Sequence, residues 1–173
     1  MYLLQVSELG AGELQLTPAH VLMQELVAER VELQRPGAGE KHIAIETRIA
    51  ASLPAILGDR MRLAQAIDNL LTNAIKFSLP GTTTTVQARA SHGQPWISVR
   101  DRGQGIAPAD LGKLFRPFGV TSTRATGGER STGLGLLIVT RTVEAHGGSV
   151  RVRSRLGIGT TFHLLLPLPV SYC

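Results

Sequence analysis

Apolar positions recur at helical spacing along three long stretches of the chain and alternate with polar positions along several shorter ones. The clearest helical stretch begins after Asp59, a residue type that favours helix N-caps, and runs to about Ser78, just before Pro80 and Gly81. Its apolar arc consists of Leu63, Ile67, Leu70, Leu71 and Ala74. Because these side chains share one side of the helix, we expect that side to pack against a sheet.

The same periodicities predict the other elements. Further helices are expected at residues 2–9, from Thr17 to the stop at Pro36-Gly37, and at residues 134–146. Strands are expected at residues 13–16, 42–49, 55–57, 83–90, 96–100, 149–153 and 160–166. Thr17-Pro18 is typical of a helix start, with threonine as the cap and proline in the first turn.

The order of these elements predicts the fold class. Helices and strands alternate, but several strand pairs are joined as hairpins, so the sheet should contain both parallel and antiparallel neighbours. We expect an α/β (α+β) two-layer sandwich in which three helices cover one face of the sheet and the other face is partly open.

Length and composition fit one soluble domain, or one domain plus a fragment of a neighbour. The chain has 173 residues, of which 43% are apolar, enough to bury a core. Cys173 is the only cysteine, which excludes a disulfide framework and a CxxC metal site. No apolar run approaches the roughly 20 residues that span a bilayer, and the start lacks the features of a secretory signal. We expect a monomeric, cytoplasmic domain without membrane contact.

The chain is basic, with a formal net charge of +5. Its lysines and arginines are scattered along the sequence, and no aromatic residues are interleaved with them for base stacking. We therefore expect no nucleic-acid binding, and favour a small polyanionic ligand or a simple contribution to solubility.

The polar side of the 59–78 helix carries the first candidate site. Asn69, Asn73 and Lys76 stand at i, i+4 and i+7, and Phe77 flanks them. Amide oxygens suit a hard cation such as Mg2+, and a lysine one turn further supplies a point charge for phosphate. The alternative is an ordinary solvated helix face.

Two glycine-rich motifs follow, DRGQGI at residues 101–106 and TGLGL at residues 132–136. In the first, glycines permit a sharp turn and close approach of a planar ligand, and Asp101 offers an acceptor suited to the amino group of adenine. The second opens a helix, where exposed N–H groups bind phosphate. Residues 116–132 between them are polar and rich in glycine and arginine, which suggests a lid over phosphates, although an ordinary surface loop is the alternative.

Taken in order, these motifs resemble the catalytic, ATP-binding domain of sensor histidine kinases, a branch of the superfamily that includes gyrase-type topoisomerases, heat-shock chaperones and mismatch-repair ATPases. Five motifs carry this resemblance. The asparagine box is similar to NLLTNAIKFS at 69–78, the first glycine box is similar to DRGQGI at 101–106, and the phenylalanine box is similar to LFRPF at 114–118. The second glycine box is similar to STGLGL at 131–136, and the closing glycine–threonine motif is similar to GIGTTF at 157–162. The likeness covers residues 12–167. It implies a Bergerat-type fold, with a mixed five-stranded sheet, three helices on one face and a long ATP lid.

The resemblance implies ATP and Mg2+ as ligands. The implied catalytic residues are Asn69 on the phosphate side, Asn73 as the Mg2+ ligand and Lys76 at phosphate. Asp101 would accept a hydrogen bond from the adenine amino group. The other implied ATP-binding residues are Phe77, Gly103, Gly105, Ile106, Phe115, Arg130, Ser131, Thr132, Gly133, Leu134, Gly135, Leu136 and Thr160.

The resemblance also implies a phosphoryl transfer whose acceptor this chain lacks. In the family, the γ-phosphoryl group goes to a histidine that precedes an acidic residue in a separate helical hairpin. None of the five histidines here precedes an acidic residue. Residues 1–12 resemble the tail of that hairpin, residues 13–168 the catalytic domain and residues 169–173 a C-terminal tail. The implied partners are the hairpin, a downstream response regulator and, in the full kinase, a second copy in a homodimer.

Two other functions remain open. A hydrolysing ATPase of the gyrase or chaperone kind would place a glutamate one turn before the metal asparagine, where this chain has Asn69. Asp68 is adjacent but points about 100° away around the helix. The other alternative is a nucleotide-dependent binding module without turnover.

Overall fold

The computed structural model describes residues 14–116, 125–126 and 133–168. Its helices are α1 (Met23–Glu40), α2 (Arg60–Phe77), the short α3 (Pro108–Leu111) and α4 (Gly135–Ala145). Its strands are β1 (Ala19–Val21), β2 (Ala44–Ile49), β3 (Ile56–Gly58), β4 (Thr83–Ser91), β5 (Gln94–Arg100), β6 (Ser149–Arg155) and β7 (Gly159–Leu165). The helix predicted at residues 2–9 lies outside the described residues. Across the described ranges, no helix combines the length and the apolar character that a membrane crossing requires.

Five strands form one mixed sheet in the order β2-β4-β5-β7-β6. β2 and β4 run parallel because α2 lies in the connection between them, and every other neighbouring pair is antiparallel. His92 and Gly93, both with positive φ, form the tight turn between β4 and β5. The predicted mixed five-stranded sheet is confirmed.

One face of the sheet is apolar and buried. The strand registers place Val86, Val99, Phe162 and Val152 side by side in one row across four strands. The apolar sides of α1, α2 and α4 join the same hydrophobic core, so three helices cover this face. The predicted two-layer sandwich with three helices on one face is confirmed.

The structure differs from the prediction at the start of the described chain. Residues 14–18 have no regular structure, and β1 follows and pairs with β3 in a separate two-stranded sheet. The expected strand at residues 13–16 and the expected helix start at Thr17-Pro18 are therefore wrong. The Thr17 N–H instead donates to Asp59 Oδ2 at 3.0 Å, across 42 residues of sequence, a contact that no local pattern reveals.

The end of α1 also differs from the prediction, because the helix continues through Pro36 to Glu40. Pro36 is exposed, and its ring removes one backbone hydrogen bond of the helix. Two residues later Ala38 is only 1% exposed in the core. The Ala38 carbonyl also accepts hydrogen bonds from the N–H groups of Lys41 and Ile43, at 3.1 and 2.9 Å. Burial of the last turn thus outweighs the local effect of the proline.

Asp59 caps α2, as predicted. Its Oδ1 accepts from the Arg62 N–H at 3.1 Å, and its own N–H donates to His146 Nε2 at 2.9 Å, which joins the start of α2 to the end of α4. Burial by itself would raise the pKa of Asp59, but the hydrogen bonds from Thr17 and Arg62 and the Arg62 charge lower this pKa below its ordinary value.

We expect Asp59→Ala to lower the free energy of unfolding by about 1–2 kcal/mol at neutral pH, as is typical for a lost N-cap. Because the pKa of Asp59 is lowered in the folded chain, its stabilisation is complete above the unfolded pKa and is lost as pH falls through the folded pKa. The stability difference between parent and variant should therefore shrink in acid. Urea denaturation at neutral and acidic pH measures it, with Asp59→Asn, which keeps a cap acceptor, as the matched variant. An Asp59→Ala chain as stable as the parent would contradict the capping role.

Candidate functional site

The predicted site residues meet where the end of β5, the start of β7 and the helices α2 and α4 come together. Asp101 directly follows β5, and Thr160 is the second residue of β7. Ser78, directly after α2, forms an antiparallel bridge with Gly103. The asparagine box and the first glycine box are thus brought side by side.

Asp101 is a buried acceptor of the site, with only 5% of its surface exposed. Its Oδ1 accepts hydrogen bonds from the N–H groups of Gly103 and Thr160, at 2.9 and 3.0 Å. Burial raises the pKa of this carboxyl, and the two hydrogen bonds oppose that shift. Oδ2 makes no hydrogen bond with any residue in the described ranges, which leaves one oxygen to accept from a ligand.

The glycines of the first glycine box are required by the protein's own backbone. A Cβ at Gly103 would lie 2.1 Å from the Phe77 carbonyl oxygen, and a Cβ at Gly105 would lie 2.1 Å from that of Arg155. Gly105 also has a φ of 69°, which confirms the sharp turn. At these two glycines, another segment of the chain's own backbone packs closely. The sequence pattern suggested the approach of a ligand there instead.

Ser154 organises the floor of the site, although the sequence analysis did not select it. Its Oγ accepts from the Ile106 N–H at 2.8 Å, donates to the Gly159 carbonyl at 3.1 Å and lies 2.9 Å from Thr160 Oγ1. Ser154 comes two positions after Val152, on the side of β6 that faces the core. A serine where the alternation predicts an apolar residue is the sequence signal that could have identified it.

Asn69 lies beside the start of α4. A Cβ on Gly135, the first residue of α4, would be 3.6 Å from Asn69 Oδ1. Asn69 Nδ2 is buried and has no hydrogen-bond partner among the described residues, and the N-cap residue Leu134 supplies no side-chain cap to the helix. The Asn69 amide therefore lies beside the N–H groups of a helix N-terminus, which is a type of position where anions are favoured.

The predicted polar stripe continues along α2. Asn73 and Lys76 are both half-buried, and Lys76 Nζ lies 5.8 Å from the centre of the Phe77 ring. Asn73 is one turn, or about 6 Å along the helix axis, from Asn69. Its amide oxygen is a hard ligand of the kind that Mg2+ accepts.

Two residues that the sequence analysis did not select hold the end of α2. Thr126 Oγ1 lies within hydrogen-bond distance of the Lys76 and Ser78 carbonyls, at 3.0 and 2.9 Å. Lys41 Nζ donates to the carbonyls of Ile75 and Lys76, at 3.1 and 3.2 Å. Both satisfy carbonyl groups at a helix C-terminus, where a positive charge is favourable. Lys41 is 35 residues from Lys76, so no local signal links them.

Five of the remaining predicted residues lie in the described ranges, and three do not. Ile106 and Leu134 are buried, and Phe115 and Leu136 pack against the main core, so these four contribute apolar surface. Gly133 has a φ of 68°, which suits a glycine. Arg130, Ser131 and Thr132, with most of the predicted lid at residues 116–132, lie outside the described residues.

The site is elongated along α2. Phe77 contacts the Asp101 loop at Gly103, whereas Asn69 contacts the start of α4. The two positions are eight residues apart, or about 12 Å along the helix axis. A carboxylate acceptor thus lies at one end, and an amide donor beside a helix N-terminus lies at the other.

The predicted residues of this site lie within a segment that matches a known protein family. Residues 58–170 match the family described as "Histidine kinase-, DNA gyrase B-, and HSP90-like ATPase". The matched segment contains all five boxes and every predicted site residue.

Individual relatives agree with the family match. The chain is 35% identical to the sensor-like histidine kinase SenX3 of Mycobacterium tuberculosis over 168 residues, which cover 95% of this chain and 40% of SenX3. Among solved structures, full-length ShkA in complex with AMPPNP superposes with a TM-score of 0.82 at 37% identity, over 95% of this chain and 34% of ShkA. The mycobacterial sensor histidine kinase MprB superposes with a TM-score of 0.75 at 29% identity, over 87% of this chain and 97% of that structure.

The chain therefore spans less than half the length of SenX3 and of full-length ShkA. The resemblance drawn from the five boxes is confirmed. The chain belongs to the family of histidine kinase-, DNA gyrase B- and HSP90-like ATPases, and within it to the ATP-binding domains of sensor histidine kinases.

Proposed function

We propose that the chain binds Mg-ATP and supplies the γ-phosphoryl group to a histidine in a separate hairpin domain, as one step of two-component signal transduction. The observation that carries this proposal is the amide of Asn69, which lies beside the first residue of α4 and whose buried Nδ2 has no hydrogen-bond partner among the described residues. A buried donor without a partner is costly, so its presence there indicates a ligand acceptor such as a phosphate oxygen. Asp101 Oδ2, at the other end of α2, supplies the matching acceptor for an adenine amino group.

Asn73 is the proposed ligand of Mg2+. It lies between the two ends of the site, its amide side chain is half-buried, and it stands one turn from Asn69. Mg2+ bound there would offset the charge of the phosphates, and Lys76 would add a second positive charge.

Phosphoryl transfer then depends mainly on positioning. An imidazole nitrogen of the acceptor histidine attacks the γ-phosphorus while the bond to the oxygen that bridges the β- and γ-phosphorus breaks, and ADP leaves with the electrons of that bond. Asn69 and the N–H groups at the start of α4 would hold the phosphates in line for this attack. In this reaction, the chain itself would bind and orient ATP, the phosphoryl donor.

The structure gives a reason to disfavour the hydrolysing ATPase. Asp68, the one carboxylate adjacent to Asn69, accepts hydrogen bonds from Arg30 Nε and Nη2 at 2.9 and 2.7 Å. A carboxylate that forms this two-pronged ion pair with α1 is a poor base for activating water beside Asn73. The position one turn before Asn73 carries an amide, which does not take up a proton at neutral pH.

The partners follow from the proposed function, and the segment boundaries after residues 12 and 168 stay predictions of the sequence. The acceptor hairpin, a response regulator and a homodimeric full-length kinase are its expected partners, and a cytoplasmic location stays a prediction of the sequence. Of the predicted segments, residues 1–12 and 169–173 lie outside the described residues.

The Mg2+ role predicts that Asn73→Ala weakens ADP binding about tenfold or more when Mg2+ is present, because the metal loses a protein ligand. In EDTA the variant and the parent should bind ADP alike. Calorimetry measures both conditions. Thr72→Ala, at the adjacent exposed position on α2, is the matched control and should bind as the parent does. Undiminished binding by Asn73→Ala in Mg2+ would remove Asn73 from the metal site.

The adenine role predicts that Asp101→Asn weakens ADP binding about tenfold or more, because the substituted amide presents a donor where adenine also presents one. Binding of inorganic tripolyphosphate should change less than about twofold, since its contacts lie at the Asn69 end. Competition calorimetry compares the two ligands. Asp110→Asn, at another buried aspartate that pairs with Lys113 at 2.7 Å, controls for loss of charge. Equal losses for both ligands would contradict the adenine assignment.

The transfer role predicts that the chain alone binds nucleotide but neither labels itself nor hydrolyses ATP appreciably. Incubation with γ-labelled ATP tests this, because none of the histidines has the sequence context of an acceptor. A separately prepared hairpin domain should become labelled slowly when it is added, since tethering normally supplies a high effective concentration. Strong acid-labile labelling of the chain by itself would show that one of its five histidines has been misinterpreted.

A further inference from the structure

The sheet face that no long helix covers is strongly basic. We call it the arginine face and define it by the outward-facing residues of β2, β4, β5, β6 and β7. Its exposed arginines are Arg48, Arg89, Arg100, Arg151, Arg153 and Arg155. Glu46 is the only acidic residue among the outward-facing positions of these strands. One face of the domain thus holds a third of the chain's 18 basic residues.

The arginines of this face are largely without acidic partners. Arg48 pairs with Glu46 at 2.9 Å. The others form no ion pair with a carboxylate in the described part of the chain. The acidic residues that do form ion pairs with helical arginines, such as Glu29 and Asp68, lie on α1 and α2 in the other layer. Protein surfaces usually mix both signs of charge, so this separation needs an explanation.

Trp96 lies at the centre of the arginine face. Its ring is 4.2 Å from the Arg89 guanidinium carbon and 5.1 Å from the His163 ring. In register, Arg89 stands opposite Trp96 on β4, and Arg151 stands opposite His163 on β6. The aromatic pair therefore holds one arginine by a cation–π contact and lies next to another.

The pKa of His163, which lies against Trp96, reports the positive charge around these two rings. Burial lowers the pKa of His163, and the charges of Arg153, Arg151 and Arg89 lower this pKa further. The imidazole is therefore neutral at pH 7, which avoids one more positive charge among the arginines. The positive potential at His163 comes from arginines of two strands, Arg89 of β4 and Arg151 and Arg153 of β6.

The face is large enough for a small protein interface. Five strands spaced about 4.8 Å apart, each about six residues long at about 3.3 Å per residue, span on the order of 500 Å² before side-chain relief is added. A standard interface buries about 800 Å² per partner, so this area corresponds to a transient complex. Arginine and tryptophan are also the residue types that most often dominate the binding energy of protein interfaces.

We propose that the arginine face docks an acidic surface, rich in aspartate and glutamate, of a partner protein. Carboxylates would pair with the guanidinium groups around Trp96, among them Arg89, which lies against the Trp96 ring. A nucleic acid fits less well, because the one aromatic ring of the face already contacts Arg89 and His163 and so offers little surface for base stacking. Arg100, which precedes Asp101, and Arg155, whose carbonyl packs against Gly105, adjoin the candidate nucleotide site. The proposed docking therefore centres on the arginines around Trp96.

The test uses the whole chain and a fluorescein-labelled polyglutamate as the acidic probe. R89Q/R151Q/R153Q removes three charges from the arginine face, and R60Q/K113Q/R141Q removes three charges from the helical layer as a matched control. We expect the first variant to bind polyglutamate about tenfold or more weakly than the parent and the control to bind within about twofold. Trp96 is the only tryptophan, so its emission should change when the parent is saturated. R89K/R151K/R153K should restore most of the binding, and ADP binding by all variants confirms that they fold.

Three results would overturn the proposal. The first is an equal loss of polyglutamate binding in the two charge-removed variants, which would show a general charge effect. The second is that the parent binds single-stranded DNA or phosphatidylglycerol vesicles more tightly than polyglutamate and that R89Q/R151Q/R153Q loses this binding. This face would then be a nucleic-acid or membrane site. The third is self-association of the parent in sedimentation that the same variant abolishes, since the face would then pair two copies of this chain.

Discussion

A buried carboxylate connects the sheet to the ligand site in this domain. Asp101 follows β5, and its Oδ1 fixes the backbone N–H groups of Gly103 and Thr160. A carboxylate in an apolar interior is tolerated only with such hydrogen bonds, so the loop after β5 and the start of β7 must hold their positions. The neighbouring backbone is packed so closely that a Cβ at Gly159 would lie 2.2 Å from the Asp101 carbonyl oxygen. The Asp101 carboxylate, the proposed acceptor for the base, is therefore fixed in place by the protein's own backbone.

The position of Asn69 and Asn73 depends on the contacts that hold the two ends of α2. Its start is tied to Thr17 and to His146 through Asp59, and its end is capped by Lys41 and Thr126. Between these anchors, the apolar arc is buried and the polar stripe faces the site. A helix fixed at both ends sets the spacing between Asn69 and Asp101, and the proposed in-line transfer requires such a fixed spacing.

Local signals predicted the elements that local interactions determine. Asp59 as N-cap, the apolar period of α2 and the break after Ser78 all lie within one segment, and the structure agrees with each of them. The start and end of α1 were wrong, because the Thr17 contact to Asp59 and the burial of Ala38 are set by distant residues. The same reason explains why the caps of α2 from Lys41 and Thr126 were missed.

The distribution of basic residues is a second feature that the sequence alone did not predict, because it depends on how distant strands pair. Along the sequence the basic residues are scattered, and the sequence analysis accordingly drew from them only a polyanionic ligand or solubility. In the sheet, alternation along each strand and pairing between strands bring arginines from distant segments onto one surface. The candidate nucleotide residues were easier to select, because each box is continuous in sequence, whereas Ser154 stands alone in β6.

The central claim is that a nucleotide lies along α2, with its base at Asp101 and its phosphates at Asn69. Replacing Mg2+ by Mn2+, which accepts the same oxygen ligands, allows a direct test by nuclear magnetic resonance of the ADP complex. Paramagnetic broadening falls steeply with distance from the ion. The account predicts strong broadening of the side-chain amide signals of Asn69 and Asn73 and weaker broadening of the Gly103 N–H signal. Stronger broadening at Gly103 than at the two asparagines would place the metal at the opposite end and contradict the account.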